Sequence, residues 1–305
     1  MVLFITEVAE AMIGGVRPAT TGATDAVRID VRSGGREAFS FFGPHADRLA
    51  GTLHSPPGEV IGAAVICPSI CSDFIKGYRR EVLLARALVD RGIAVQRFHY
   101  RGTGNSDGDS SHMSFETMRE DALAAARQLS GLAAGAPSFV GTRMGALVAA
   151  SASAEFGGAP LVLIEPTAEP ARFFREGFRA RMMHEVKERR EQVTTTELLK
   201  RLEADRVIDV LGQAVDRLLY ESSCRRSLES ELPLDPRPLL LVQLGGGELR
   251  ADHRALAAKW AERGATLEVI ITGSTKAWWF LQDEDHPIAE TLDPVVEWLA
   301  RAEQG

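Results

Sequence analysis

The chain has 305 residues, 45% of them hydrophobic and 25% charged, the balance of a globular protein with enough apolar material to bury a sheet between two helix layers. Its formal charge is -7, from 35 basic and 42 acidic residues, which excludes a nucleic-acid backbone as the main partner because phosphate neutralisation needs a basic surface. Cys67, Cys71 and Cys224 are too few and odd in number for a disulfide framework; they fit a reducing cytoplasm, and with no further ligands at metal spacing they call for no metal and no cofactor.

In chain order, residues 1–37 read as an N-terminal tail. Met1 to Ile5 is apolar but soon gives way to Glu7 and Glu10, with no basic flank and no long apolar run, so it is neither a signal peptide nor a membrane span. Gly14 to Gly35 has no period and reads as a draped or disordered segment; the alternative is a dimerisation arm using the patch Val2 to Ile5, which leaves a homodimer open. Ala38 to Phe42 and Arg48 to Leu53 read as short strands joined by a turn at Gly43 and Pro44. The run Val60 to Cys67 reads as a buried central strand. Strands then alternate with helices: helix Tyr78 to Arg91, strand Ile93 to Phe98, helix Met118 to Leu132, strand Pro137 to Val140, helix Met144 to Phe156, strand Leu161 to Ile164. That alternation predicts a parallel sheet covered on both faces.

Residues 170–233 break the rhythm. They are charged and read as helices Phe173 to Arg190, Thr196 to Asp205 and Ile208 to Leu219, a helical cap inserted into the α/β core of residues 38–169 and 234–305. Alternation resumes with strand Pro238 to Leu244, helix Ala251 to Arg263, strand Thr266 to Thr272 and a last helix from Pro287 to Ala302.

Three local features carry a family resemblance. His99-Tyr100-Arg101-Gly102-Thr103-Gly104-Asn105-Ser106 follows a strand, its glycines permitting tight turns. Val140-Gly141-Thr142-Arg143-Met144-Gly145-Ala146 lies between a strand and a helix, the setting of a G-x-S-x-G nucleophile elbow, with Arg143 where serine belongs. The order of elements is the third. Together they resemble the α/β-hydrolase superfamily, its serine-aminopeptidase-like branch, and within it the hydrolases associated with exosortase systems. The last are similar in the opening Phe41-Phe42-Gly43-Pro44 with Arg48 to His54, in Arg97 to Asp109, and in a G-x-R-x-G elbow. The likeness spans about residues 38–300. It implies an α/β-hydrolase fold, a mostly parallel central sheet flanked by helices, with a helical cap.

The resemblance also marks departures. The family's acid position points to Glu248 in the loop after Leu244, with Glu165 a second acid/base candidate. The family's histidine loop here reads Gly273 to Trp279 without histidine, and His286 comes later. The oxyanion loop is Pro68-Ser69-Ile70-Cys71. Arginine offers no nucleophilic atom and stays protonated, so a base that activates a hydroxyl has nothing to act on here. At a helix N-terminus Arg143 suits a carboxylate or phosphate. It either anchors an anionic ligand group or forms an ion pair with Glu165 or Glu248, since an unpaired buried charge is costly. His99 is a general base or a hydrogen-bonded substitute for a structural aspartate. Ser69 and Cys71 are displaced-nucleophile candidates; Thr142, Met144, Ile70, Trp278 and Trp279 are candidate pocket residues. Three functions follow. The first is an enzyme doing non-hydrolytic chemistry (isomerisation, cyclisation or elimination) on a small carboxylate, acyl or peptide substrate, with Glu165, Glu248 or His99 moving protons. The second is an acyl or peptide hydrolase with a displaced nucleophile. The third is a catalytically dead binder of a small molecule or peptide.

Overall fold

The computed structural model describes residues 27–30, 34–43, 47–188, 193–264, 266–273 and 288–303. A nine-stranded sheet organises the chain. Its strands are β1 (Val27–Asp30), β2 (Arg36–Phe42), β3 (Leu49–Ser55), β4 (Gly62–Cys67), β5 (Ile93–Phe98), β6 (Ser138–Thr142), β7 (Leu161–Ile164), β10 (Pro238–Leu244) and β11 (Thr266–Thr272). Their spatial order is β1-β2-β3-β5-β4-β6-β7-β10-β11. Pairing is antiparallel from β1 to β5 and parallel from there to β11. The central strands are apolar on both faces, as a sheet covered on both sides requires, and every residue of β4, β5, β6 and β7 is buried.

Helices α1 (Cys71–Val89) and α9 (Ile288–Ala302) cover one face, where Leu84 and Leu88 meet Val295 and Leu299. Helices α2 (Phe115–Gln128), α3 (Met144–Ser153) and α8 (Ala251–Glu262) cover the other. Helix α3 is buried on all sides, which explains its alanine-rich sequence without a polar face.

Between β7 and β10 lie α4 (Pro170–Lys187), α5 (Thr195–Asp205), α6 (Arg217–Cys224) and α7 (Leu228–Glu231). Three expectations need correction here. Residues expected as a helix from Ile208 to Leu219 instead begin with a hairpin, β8 (Val207–Val210) paired antiparallel with β9 (Gln213–Asp216). The sequence alternates with period two, burying Ile208 and Val210 and exposing Val207 and Asp209, and Leu211-Gly212 turn it with positive φ at both residues. Val27–Asp30, expected in the tail, forms the outer strand of the sheet against β2. Helix α1 also starts at Cys71 rather than Tyr78, which puts Asp73 in its first turn.

Candidate functional site

The turn from β6 into α3 has the geometry of a nucleophile elbow, with arginine at its apex. Arg143 sits at φ 53°, ψ -116°, a conformation that costs an L-residue about 1–3 kcal/mol and persists only when its surroundings hold it. They do: its N–H donates to the Ile164 carbonyl at 3.0 Å, and its own carbonyl accepts from Ala146 at 3.1 Å and Thr167 at 3.4 Å. The flanking glycines let strand, helix and the loop after β4 close on one another. A Cβ on Gly145 would lie 2.2 Å from the Cys67 carbonyl oxygen, and one on Gly141 2.4 Å from the Gly145 oxygen.

From this apex the Arg143 side chain enters a cavity of about 210 Å³ between the elbow, the start of α1 and the inserted segment. Its Nε donates to Asp73 Oδ2 at 3.1 Å and its Nη2 to Glu176 Oε2 at 2.5 Å. The guanidinium carbon lies 5.7 Å from the Phe173 ring centroid, within cation–π range. Burial opposes the charge, but Asp73 and Glu176 outweigh it and hold the guanidinium's pKa above its ordinary value. Lys76 adds a second cation to the lining, and Phe174, Phe178, Val210 and Val215 make its apolar wall. The ion pair expected with Glu165 or Glu248 is therefore corrected: Arg143 pairs with Asp73 of α1 and Glu176 of α4.

Glu165 is occupied elsewhere. At φ 47° its carboxylate turns to β10, accepting from the Leu244 N–H at 2.8 Å and pairing with Arg250 at 2.6 Å. From there charges alternate across the mouth. Arg250 lies 3.6 Å from Asp252, Arg172 is 3.0 Å from the other Asp252 oxygen, and the same Arg172 reaches Glu176 at 3.3 Å. Seven charged side chains thus run in sign alternation from Glu165 to Asp73. Glu248 is exposed in the loop after β10, its carbonyl accepting from the Gln243 side chain at 2.9 Å, and it does not line the cavity.

His99 lies outside the cavity lining. Its Nδ1 accepts from the Asn105 N–H at 3.0 Å and its ring meets Phe74 edge-on at 5.1 Å, the loop-tying role of the structural alternative. Gly104, at φ 55°, makes room: a Cβ there would lie 2.3 Å from that Nδ1. Burial, then Arg97, pushes the His99 pKa down from 6.5 to about 4. Between pH 6.5 and 4 the unfolded chain therefore binds a proton that the folded chain refuses, so stability falls on acidification through that window. His99→Asn, which keeps an acceptor for Asn105, is expected to remove on the order of 1–2 kcal/mol of the loss between pH 7 and pH 5. Urea midpoints of both proteins at the two pH values check it.

Of the other residues singled out in the sequence, Cys71 lines the cavity, but burial and Asp73 push its thiol up to about 12, far from a thiolate at neutral pH. Ser69, Ile70, Thr142 and Met144 are buried behind the wall. The hydroxyls of Ser69 and Thr142 have no hydrogen-bond partner among the described residues, so no base is aligned on Ser69 there. Trp278, Trp279 and His286 lie outside the described residues. No cluster of metal-ligating side chains occurs among the described residues. Sequence reasoning missed Asp73, Lys76, Phe173 and Glu176. The one signal was Arg172-Phe173-x-x-Glu176, an i,i+4 charge pair bracketing an aromatic residue on a helix.

No family model and no curated protein matches the chain. Solved structures do. It is similar to Est1E from Butyrivibrio proteoclasticus with ferulic acid bound (TM-score 0.64, 15% identity, covering 87% of this chain and 99% of that one). It is also similar to a lipase in its open form (0.59, 16%, 93% and 100%) and to an esterase of Rhizomucor miehei (0.57, 16%, 88% and 84%). With the sheet described above, these likenesses establish the α/β-hydrolase fold. No helix among the described residues is long and apolar enough to cross a membrane.

Proposed function

We propose, taking the α/β-hydrolase fold as premise, that this chain has given up acyl-enzyme chemistry. It binds in the cavity under its cap a small molecule with an apolar body and one acid group. The observation that carries this reading is the Arg143 guanidinium, fixed at the nucleophile position and opening onto an aromatic wall. A guanidinium forms no acyl-enzyme but meets a carboxylate with charge-assisted hydrogen bonds. The proton-transfer groups expected from the sequence support binding over catalysis: Glu165 is tied to Arg250, His99 to Asn105, and Glu248 is exposed outside the cavity lining, while the thiol of Cys71, the displaced-nucleophile candidate in the lining, stays protonated. At about 210 Å³ the cavity is smaller than the roughly 300–1,000 Å³ of pockets for drug-sized ligands, which suits a small acid. Ferulic acid on Est1E is such a molecule on the same fold.

With this reading go residues 38–169 and 234–305 as core, 170–233 as cap, a cytoplasmic setting suited to three free cysteines, and kinship with the exosortase-associated branch of the serine-aminopeptidase-like hydrolases. A second reading, proton transfer without hydrolysis, rests on Asp73 and Glu176, two carboxylates beside Lys76 in the cavity wall.

Intact mass after incubation with a fluorophosphonate is expected to show no adduct, with trans-cinnamate binding at one per chain in calorimetry and recovered unchanged. A stoichiometric adduct on one residue would return the hydrolase reading with its nucleophile located. Deuterium from solvent appearing in recovered cinnamate would favour proton transfer.

A further inference from the structure

Glu176 stands where a ligand's acid group would stand. Its two oxygens point to different arginines, Oε2 to Arg143 at 2.5 Å inside the cavity and Oε1 to Arg172 at 3.3 Å. Arg172 lies one turn earlier on α4, and its side chain is 57% exposed against 19% for Arg143. One carboxylate thus bridges an inner cation, belonging to the elbow, and an outer cation at the mouth. Asp73, on α1, holds a different nitrogen of Arg143, Nε, and lies outside the inserted segment.

We infer that Glu176 is a built-in surrogate for the ligand's carboxylate: the ligand takes its place on Arg143, and Glu176 shifts fully onto Arg172. This rests on the proposed binding function and adds the ligand's charge and the residue it displaces. The exchange leaves no charge unpaired. Arg143 keeps Asp73 and gains the ligand's carboxylate, while Glu176 keeps the partner already beside it. An ion pair is costly to break where a charge is left without a partner, and a waiting second arginine is what makes this one exchangeable. The swap also fixes ligand charge. Among the described charges of the lining, Arg143 and Lys76 balance Asp73 and Glu176, and a monocarboxylate in place of Glu176 keeps that balance. A phosphate dianion adds a further negative charge beside Asp73, 3.1 Å from the same guanidinium. The site therefore takes monoanionic acids, with the body against Phe173 and Phe174.

The test is calorimetric titration of the full chain with trans-cinnamate and with phenyl phosphate. Glu176→Gln is expected to bind cinnamate about tenfold more tightly than the native chain, because the amide competes poorly for Arg143. Arg172→Met is expected to bind it about fivefold more weakly, because Glu176 then has only Arg143 to pair with. A merely structural role for the bridge would move both variants the same way. Cinnamate binding unchanged or weakened in Glu176→Gln overturns the surrogate, and phenyl phosphate binding more tightly than cinnamate overturns the monoanion rule. If Glu176→Gln fails to fold, Arg172→Met decides: weaker binding supports the exchange and unchanged binding rejects it. Cinnamate binding lost with Arg143→Met but indifferent to Glu176→Gln leaves the proposed function standing without the surrogate. No binding by either the native chain or Glu176→Gln rejects both.

Discussion

Arg143→Met is expected to weaken cinnamate binding by at least about 100-fold while leaving the protein folded. The guanidinium supplies the charged half of the ligand contact, and truncating one partner of a desolvated charge pair costs about 2–5 kcal/mol, roughly 1.5 to 3.5 decades of affinity, with Arg143, 19% exposed, expected above the low end. The fold suffers less. Asp73 and Glu176 lose a partner, but their side chains are 16% and 43% exposed, and Glu176 retains Arg172, so water and that second arginine take up much of the difference. A stability loss of about 1–2 kcal/mol is expected, discounted for that solvent access. Arg143→Gly separates the two roles of the position. It loses the same binding, yet at φ 53° glycine is relieved of the backbone strain every other residue bears there. Its urea midpoint is expected above that of Arg143→Ala. The reverse order would mean that the elbow is held by the side chain rather than by the backbone bonds to Ile164, Ala146 and Thr167.

Gly145→Ala is expected to be strongly destabilising for the addition of a single methyl group. The new carbon would lie 2.2 Å from the Cys67 carbonyl oxygen and 2.4 Å from that of Pro68. Both are backbone atoms at the end of β4 and cannot rotate aside, so either α3 lifts from the sheet or the loop after β4 moves. A loss above about 4 kcal/mol is expected, in the range reserved for such overpacking. Gly247→Ala is the control: nothing lies within 4 Å of its Cβ position, and its stability is expected to stay within about 1 kcal/mol of the native value. Denaturation of the two variants side by side checks the contrast.

These two glycines illustrate what could be read from the chain. Where local chemistry decides structure, the sequence carried it: the apolar runs of β4, β5 and β7, the glycines of the elbow, and the pairing of Gly102 and Gly104 around His99 all announced themselves. The insertion was harder. Its hairpin, Val207 to Asp216, is short with only Asp209, Gln213 and Asp216 polar, and a ten-residue segment of that composition fits either period. The partners of Arg143 were harder still. Asp73 lies 70 residues away and Glu176 33 residues away, and nothing local to the elbow marks either. Glu165 and Glu248 were the natural expectations because both follow strands that end at the same edge. A positive φ turns Glu165 toward β10, and Glu248 sits on an exposed loop, and neither could be foreseen without the backbone.

The order of the strands has a consequence for how the chain comes off the ribosome. The first seven strands in sequence are also seven contiguous neighbours in space, ending in β7. The strands through β7 can therefore pair as soon as they emerge, while the face shared by α1 and α9 waits for the last helix. The partner that closes the far side of β7 is β10, which begins at Pro238, roughly 70 residues later. At about 5–20 residues per second, Leu161 to Ile164 present an apolar, hydrogen-bond-hungry edge to the cell for several seconds on every round of synthesis. In that interval Glu165 has neither Leu244 nor Arg250 to hold it. The insertion is the cause of the delay, and a nascent chain stalled within it keeps that edge unpaired.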